Sequence, residues 1–168
     1  ETFIGGKAKN MHAKRRKELI RGRGTVSKII VQGLLERSRD DLPSEFRGWV
    51  VSKTDAETLL ANVRLNVEPD SHVYTDALPA YGDLALRYFH GAVDHLTKYV
   101  SGRVHVNGLE NFWSLLKRAI RGTYVAVAGF HLERYLDEQT FRFNQRHCSD
   151  AGRFQRVLSA VVGKRLTY

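Results

Sequence analysis

The sequence predicts a mixed α/β domain that begins with antiparallel strands and ends in helices. Three observations carry that reading. Short β-branched and aliphatic runs separated by turn residues fill the first half, apolar and polar residues alternate through "HVYTD" (His72 to Asp76), and apolar residues recur at helical spacing through the last third. At 168 residues the chain is long enough for one core and short for two. Residues 1–168 are therefore read as a single domain, expected to be a piece of a longer protein because the chain opens on Glu1 with no initiator methionine.

Thr2 to Ile4, closed by Gly5 and Gly6, is the first strand. "SKIIVQGLLER" (Ser27 to Arg37) is too short and too uniformly apolar for an amphipathic helix and forms the second strand, with Gly33 expected to mark a bulge. The polar, proline-containing "RSRDDLPSEF" connects it to "GWVVS" (Gly48 to Ser52), the third strand of an antiparallel meander. Thr54 or Asp55 caps a helix with Glu57 in its first turn and Leu59, Leu60 and Val63 on its apolar side. His72 to Asp76 is the fourth strand, "ALPAYGDLAL" a short helix, and the fifth strand falls near Arg87 to His90. One helix runs from about Asn107 to Arg121, and a second from about Phe130 to Arg146 with Leu132, Tyr135, Leu136 and Phe143 inward. A third spans Arg153 to Val162 with Phe154, Val157, Leu158 and Val161 inward. The order βββαβαβ followed by helices outlines a ribonuclease-H-like mixed sheet, three antiparallel strands plus parallel ones, flanked by helices.

A formal net charge of +9 predicts a polyanionic partner, because clustered Lys and Arg release counterions when they meet phosphates. The charge is concentrated. Lys7, Lys9, Lys14, Arg15, Arg16, Lys17, Arg21 and Arg23 stand against Glu18 alone, so residues 7–24 read as a basic loop, compatible with a solvated surface and with a DNA contact. No run of about 18 to 20 apolar residues offers a membrane span, and no signal-peptide pattern opens the chain; a cytoplasmic location is expected. Cys148 is the one cysteine, so an internal disulfide and a thiolate metal cage are both excluded. The spacings of His72, His90, His95 and His105 match no common zinc pattern. Walker, dinucleotide-binding and Ser-His-Asp patterns are absent.

"HVNGLENFWSLLKR" (His105 to Arg118) carries the chemistry. At roughly 100° per residue, Glu110 and Lys117 lie about 20° apart, with Ser114 and Arg121 beside them, while Leu109, Phe112, Leu116 and Ile120 form a stripe about 120° away. One face packs; the other meets solvent or a polar partner. Asp76 closes a strand, where open α/β sheets gather functional groups, although it suits the N-cap of the following helix equally well. The 33 residues between Asp76 and Glu110 suffice for a helix, a strand and a return to the sheet. Two acids meeting there would repel and raise one another's pKa unless a cation sat between them. Mg²⁺ is the natural occupant, since it takes carboxylate oxygen and keeps several waters. Two such ions about 4 Å apart can activate the attacking oxygen and stabilise the leaving oxygen of a phosphoryl displacement. Trp113, between the two faces, is assigned to core packing over base stacking, and Tyr74 and Tyr81 to structural roles.

In order along the chain, "ETFIGGK", "YTDALPAY", "HVNGLENFWSLLKRAIRGTY", "HLERYLDEQTFRFNQR" and the closing "VVGKRLTY" resemble the catalytic domain of bacterial insertion-sequence DDE transposases, the ISXO-like group. The resemblance implies that Asp76 is the second acid and Glu110 the third of a triad holding two Mg²⁺ or Mn²⁺ ions. It also implies that Lys117 touches a DNA phosphate or base near the scissile bond, with Arg118, Arg121 and the basic loop on the DNA backbone. Some relatives carry Asn at the third acid, which makes Asn107 a competing position; the seven-residue step to Lys117 favours Glu110. His95, His105 and Asn107 are accessory positions, His95 to buttress the acids or to reach DNA. The family's first catalytic Asp lies immediately before "ET", so Glu1 is read as its neighbour and not its replacement, and the chain as it stands is expected to be a poor catalyst. The implied activity is cleavage at terminal inverted repeats followed by attack of the freed 3′-hydroxyl on target DNA, by a homodimer or larger assembly at the bacterial nucleoid. The alternatives are an inactive DNA-binding remnant or domesticated module, and a structure-selective nuclease of the same fold.

Overall fold

The computed structural model describes residues 1–6, 12–14, 17, 28–40, 42–93, 104–124, 127 and 129–165. Its elements are β1 (Thr2–Ile4), β2 (Ile29–Glu36), β3 (Glu45–Val51), α1 (Ala56–Asn66), β4 (His72–Asp76), a 3₁₀ helix (Pro79–Leu86), β5 (Phe89–Val93), α2 (Asn107–Gly122), a 3₁₀ turn (Gly129–His131), α3 (Leu132–Asn144) and α4 (Asp150–Val161). β1, β2 and β3 form the expected antiparallel meander, and β4 pairs with β5 in parallel. Among the described residues these are two sheets, with no ladder joining β1 to β4. The fold is thus mixed α/β as predicted, but among the described residues the single mixed sheet expected from the sequence is divided into an antiparallel sheet of three strands and a parallel sheet of two, because no ladder bonds join them.

Each face of β2 meets a different layer, as the two-residue period of a strand requires. Val31 joins Ile4, Phe46, Phe112, Trp113, Leu116, Leu132, Leu136 and Phe143 in one core beneath α2 and α3. Phe46 and Phe112 stack at 3.5 Å and 14°, and Trp113 and Phe143 meet Phe112 edge-on at 5.4 Å each. On the other face Leu34 packs against a second core, in which Leu59, Leu60 and Val63 of α1 meet Val73, Tyr81, Leu84 and Tyr88. α1 therefore lies across both sheets. Its start is the one expected: the Asp55 carboxylate accepts from the Thr58 amide at 2.9 Å, and hydrogen bonds from the Thr58 side chain first and its amide second hold the Asp55 pKa below the usual value. At the outer edge of β3, the Asn144 side chain accepts from the Phe46 amide at 2.8 Å and donates to the Phe46 carbonyl at 2.9 Å, standing in for a neighbouring strand.

Three expectations are corrected. Gly33 marks no bulge, because the β2–β3 register runs unbroken from Ile30↔Val51 to Glu36↔Glu45, with Gly33 directly opposite Gly48. Its reason is space: a Cβ there would stand 2.5 Å from Phe46 Cε2 and 2.8 Å from the Trp113 ring. The fifth strand begins at Phe89 instead of Arg87, because the Arg87 and Tyr88 amides still bond the Leu84 carbonyl at the end of the 3₁₀ helix. The apolar stripe of α4 does not face a core. Phe154, Val157, Leu158 and Val161 are 65%, 44%, 48% and 54% exposed, and no α4 residue is buried. Helical spacing places these four on one side of α4 but supplies no neighbour for that side. No helix among the described residues is long and apolar enough to cross a membrane.

Candidate active site

Asp76 is the last residue of β4, opposite Val93 of β5, and is partly buried. The capping alternative fails, because the N-cap of the following 3₁₀ helix is Leu78, without a side-chain hydrogen bond. Behind Asp76 the strand end is tied down by side chains. The Thr75 hydroxyl donates to the Asp76 carbonyl at 2.7 Å and lies 2.9 Å from His90 Nε2. With that hydroxyl proton committed, His90 donates through Nε2–H, which requires only the neutral ring. Burial agrees, holding the His90 pKa below its usual value.

Tyr81 lies beside this strand end. Its ring is 6% exposed in the α1 core, and its hydroxyl donates to Glu1 Oε2 at 3.2 Å. Burial first, then the charges of Glu1 and Asp76, push the phenol well above its ordinary pKa, while a hydrogen bond involving Gln32 opposes the shift. Gln32 is 1% exposed, and both ends of its amide are tied to α1: its Nε2 donates to the Leu59 carbonyl at 2.9 Å, and its Oε1 accepts from Asn62 Nδ2 at 2.7 Å. The reading of Tyr81 as structural captured its ring and missed its hydroxyl. Gln32 was missed altogether, although one amide inside the apolar "IIVQGLLE" signals a buried polar contact.

α2 has the two faces its sequence predicts. Phe112, Trp113 and Leu116 are buried, with Leu109, Leu115 and Ile120 partly so, which settles Trp113 in the core. Gly108 lets the first turn approach β2, where Leu35 Cδ2 lies 2.5 Å from the position a Cβ would take. Glu110 is exposed in that first turn. Further along, Ser114, Lys117, Arg118, Arg121 and Gly122 line a shallow groove of about 480 Å³. Lys117 is half-buried there; desolvation lowers its pKa, and Arg121 and Lys28 add like-charge repulsion. An anion in the groove relieves that repulsion, which makes it a candidate phosphate contact. Lys28 was not singled out from the sequence.

The remaining expected positions divide. Asn107 is the exposed first residue of α2. The His105 carbonyl accepts from Arg37 at 2.6 Å, while its ring Nδ1 is buried without a hydrogen-bond partner among the described residues. The Arg37 guanidinium lies 4.6 Å above the Tyr74 ring. Lys14 and Lys17 are exposed; Lys7, Lys9, Arg15, Arg16, Arg21, Arg23 and His95 lie outside the described residues. Among the described residues no three His, Cys, Asp or Glu side chains close on a common point. Asp76 at the end of β4 and Glu110 in the first turn of α2 are both carboxylates, the donor type that Mg²⁺ takes.

The ISXO2-like transposase domain family matches residues 1–144. An uncharacterized transposase-like protein of Haemophilus influenzae is 36% identical over 96 residues, covering 56% of this chain and 77% of the relative. No solved structure matches the chain.

Proposed function

Because the chain belongs to the ISXO2-like transposase family, we propose that it is the catalytic core of an insertion-sequence transposase, built on a ribonuclease-H-like plan, that cuts DNA at terminal inverted repeats and joins the freed end to target DNA. The observation that carries this reading beyond family membership is the polar side of α2. It presents Glu110, Lys117 and Arg121 while Phe112, Trp113 and Leu116 anchor the opposite side. The antiparallel meander, the parallel β4–β5 pair and helices on both faces of β2 support the ribonuclease-H-like plan.

In this reading Asp76 and Glu110 hold Mg²⁺ or Mn²⁺, two ions when a third acid completes the set. Bound divalent ions supply activation of the attacking oxygen and charge neutralisation at the scissile phosphate. The chain's own cations do the positioning. Lys117, Arg118 and Arg121 bind backbone phosphates, and an approaching phosphate stabilises the Lys117 ammonium that desolvation and its neighbours disfavour in the free protein. Exposed Lys14 and Lys17, with the rest of the basic stretch, add sequence-independent affinity. A dimer pairing two transposon ends follows from the reaction, which joins two ends to one target.

The test is Mg²⁺-dependent cleavage of labelled terminal-repeat DNA by the full-length protein and its Asp76→Asn and Glu110→Gln variants. Each variant is expected to lose more than roughly 100-fold in rate, since even outer-shell partners of a metal are worth 10–100-fold. Undiminished cutting by Glu110→Gln removes Glu110 from the site. Cutting that ignores the terminal sequence points to a structure-selective nuclease.

A further inference from the structure

Among the described residues α4 has no layer to pack against. None of its 12 residues is buried, and Phe154, Val157, Leu158 and Val161 stand in solvent on one side. At about 100° per residue these four fall within an arc of roughly 100°, with Gln155, Arg156 and Ser159 outside it. A helix this short is marginal in water, and helical stability comes mostly from covering an apolar face. The Ser149 hydroxyl caps the first turn by accepting from the Gly152 amide at 3.2 Å, but a cap does not take four apolar side chains out of water.

The stripe is complementary to a second copy of itself. In an antiparallel pair about a two-fold axis between residues 157 and 158, Phe154 faces the partner's Val161 and Leu158 faces the partner's Val157. A larger side chain then meets a smaller one at each step, and every contact occurs twice, as an isologous interface requires. The same register sets Asp150 against the partner's Arg165, with Lys164 beside it, while Arg153 falls opposite the partner's Val162 and Arg156 opposite the partner's Ser159. The Asp150 carboxylate accepts from Arg153 of its own helix, yet its side chain is 94% exposed and open to a second cation. A parallel pair sets Asp150 beside Asp150 and Arg153 beside Arg153 and aligns the two helix dipoles, so charge selects the antiparallel arrangement.

We propose that α4 is a dimerisation helix, through which two copies of the chain pair antiparallel along the Phe154, Val157, Leu158 and Val161 stripe. α4 follows residues 1–144, which match the family, so this contact is additional to the shared domain. Its purpose rests on the proposed function, in which two transposon ends meet one target; its geometry does not. Four apolar side chains a copy fall well short of the roughly 20 to 30 residues a side of a standard interface. The free dimer is therefore weak, and holding two copies on paired DNA ends strengthens it by raising their effective concentration.

The test is sedimentation equilibrium of the full-length protein, free and on terminal-repeat DNA, with melting temperatures taken in dilute protein. Wild type is expected to form a concentration-dependent dimer. Phe154→Glu combined with Leu158→Glu should raise the dissociation constant by more than roughly 10-fold, as loss of central apolar anchors does, and should leave the melting temperature unchanged because both side chains stand in solvent. Charge reversal tests the orientation. Asp150→Lys, and separately Lys164→Glu with Arg165→Glu, should each weaken the dimer, and an equal mixture of the two proteins should restore it, since each then carries the sign the other needs. Unchanged self-association of the Phe154→Glu, Leu158→Glu protein overturns the proposal, as does a wild type that stays monomeric both free and on DNA. A mixture no better than its components overturns the antiparallel pairing. A lowered melting temperature for the Phe154→Glu, Leu158→Glu protein means that another segment of the same chain covers the stripe, which also overturns it. A dimeric wild type that leaves terminal-repeat DNA uncut supports the pairing and removes the catalytic reading, so the two fail separately.

Discussion

Gly33 shows how one missing side chain supports the helix that bears the functional groups. Phe46 lies flat over β2 and β3 because Gly33 and Gly48, opposite one another, leave room for its ring, and Phe112 then stacks on that ring from α2. Gly33→Ala places a methyl 2.5 Å from Phe46 and 2.8 Å from Trp113, both rigid rings in a packed core. It is expected to cost about 1–3 kcal/mol, read as a lowered urea midpoint, whereas Gly82→Ala, with no atom within 4 Å of the new methyl, should stay close to wild type. Reading Gly33 as a bulge used a sound rule about glycine in strands. The rule names several causes, and the choice among them depended on Phe46 and Trp113, which are distant in sequence.

The β4–β5 pair carries a pH dependence of its own. Because burial lowers the His90 pKa from its ordinary 6.5, the unfolded chain takes up the proton first as pH falls. The stability conferred by neutral His90 is present above 6.5, begins to be lost as pH falls through that value, and is gone below the lowered folded value. Melting temperatures measured from about pH 7.5 to about 5.5 should therefore fall less steeply for His90→Gln than for wild type. Equal slopes would mean that His90 titrates alike in both states. Among the helices, α2 and α4 make an instructive contrast. Both show apolar residues at helical spacing, but α2 finds β2 and α3 to cover its stripe while α4 leaves Phe154 and Val161 in solvent. Spacing states which residues share a side; whether anything covers that side depends on where the preceding turn sends the helix.

The cations expected to meet DNA form two groups along the sequence, one in α2 and one in the basic stretch after β1. Replacing Lys117, Arg118 and Arg121 by Gln should weaken DNA binding and reduce the slope of log affinity against log salt by about one per cation that meets a phosphate. The same replacement of Lys14, Arg15, Arg16 and Lys17 tests the second group, and an unchanged slope would make that stretch a solvated surface. The strand order, the Asp55 cap, the two faces of α2 and the resemblance confirmed over residues 1–144 were all legible in the sequence, because alternation, capping and motif spacing are local patterns. The Tyr81–Glu1 hydrogen bond, the Gln32 ties to α1, the space over Gly33 and the bare side of α4 were not, since each joins or separates residues far apart in the chain. Local chemistry assigns a residue its capacity to pack, donate or carry charge. Its partner is chosen by the backbone path, and that path exists only in the folded chain.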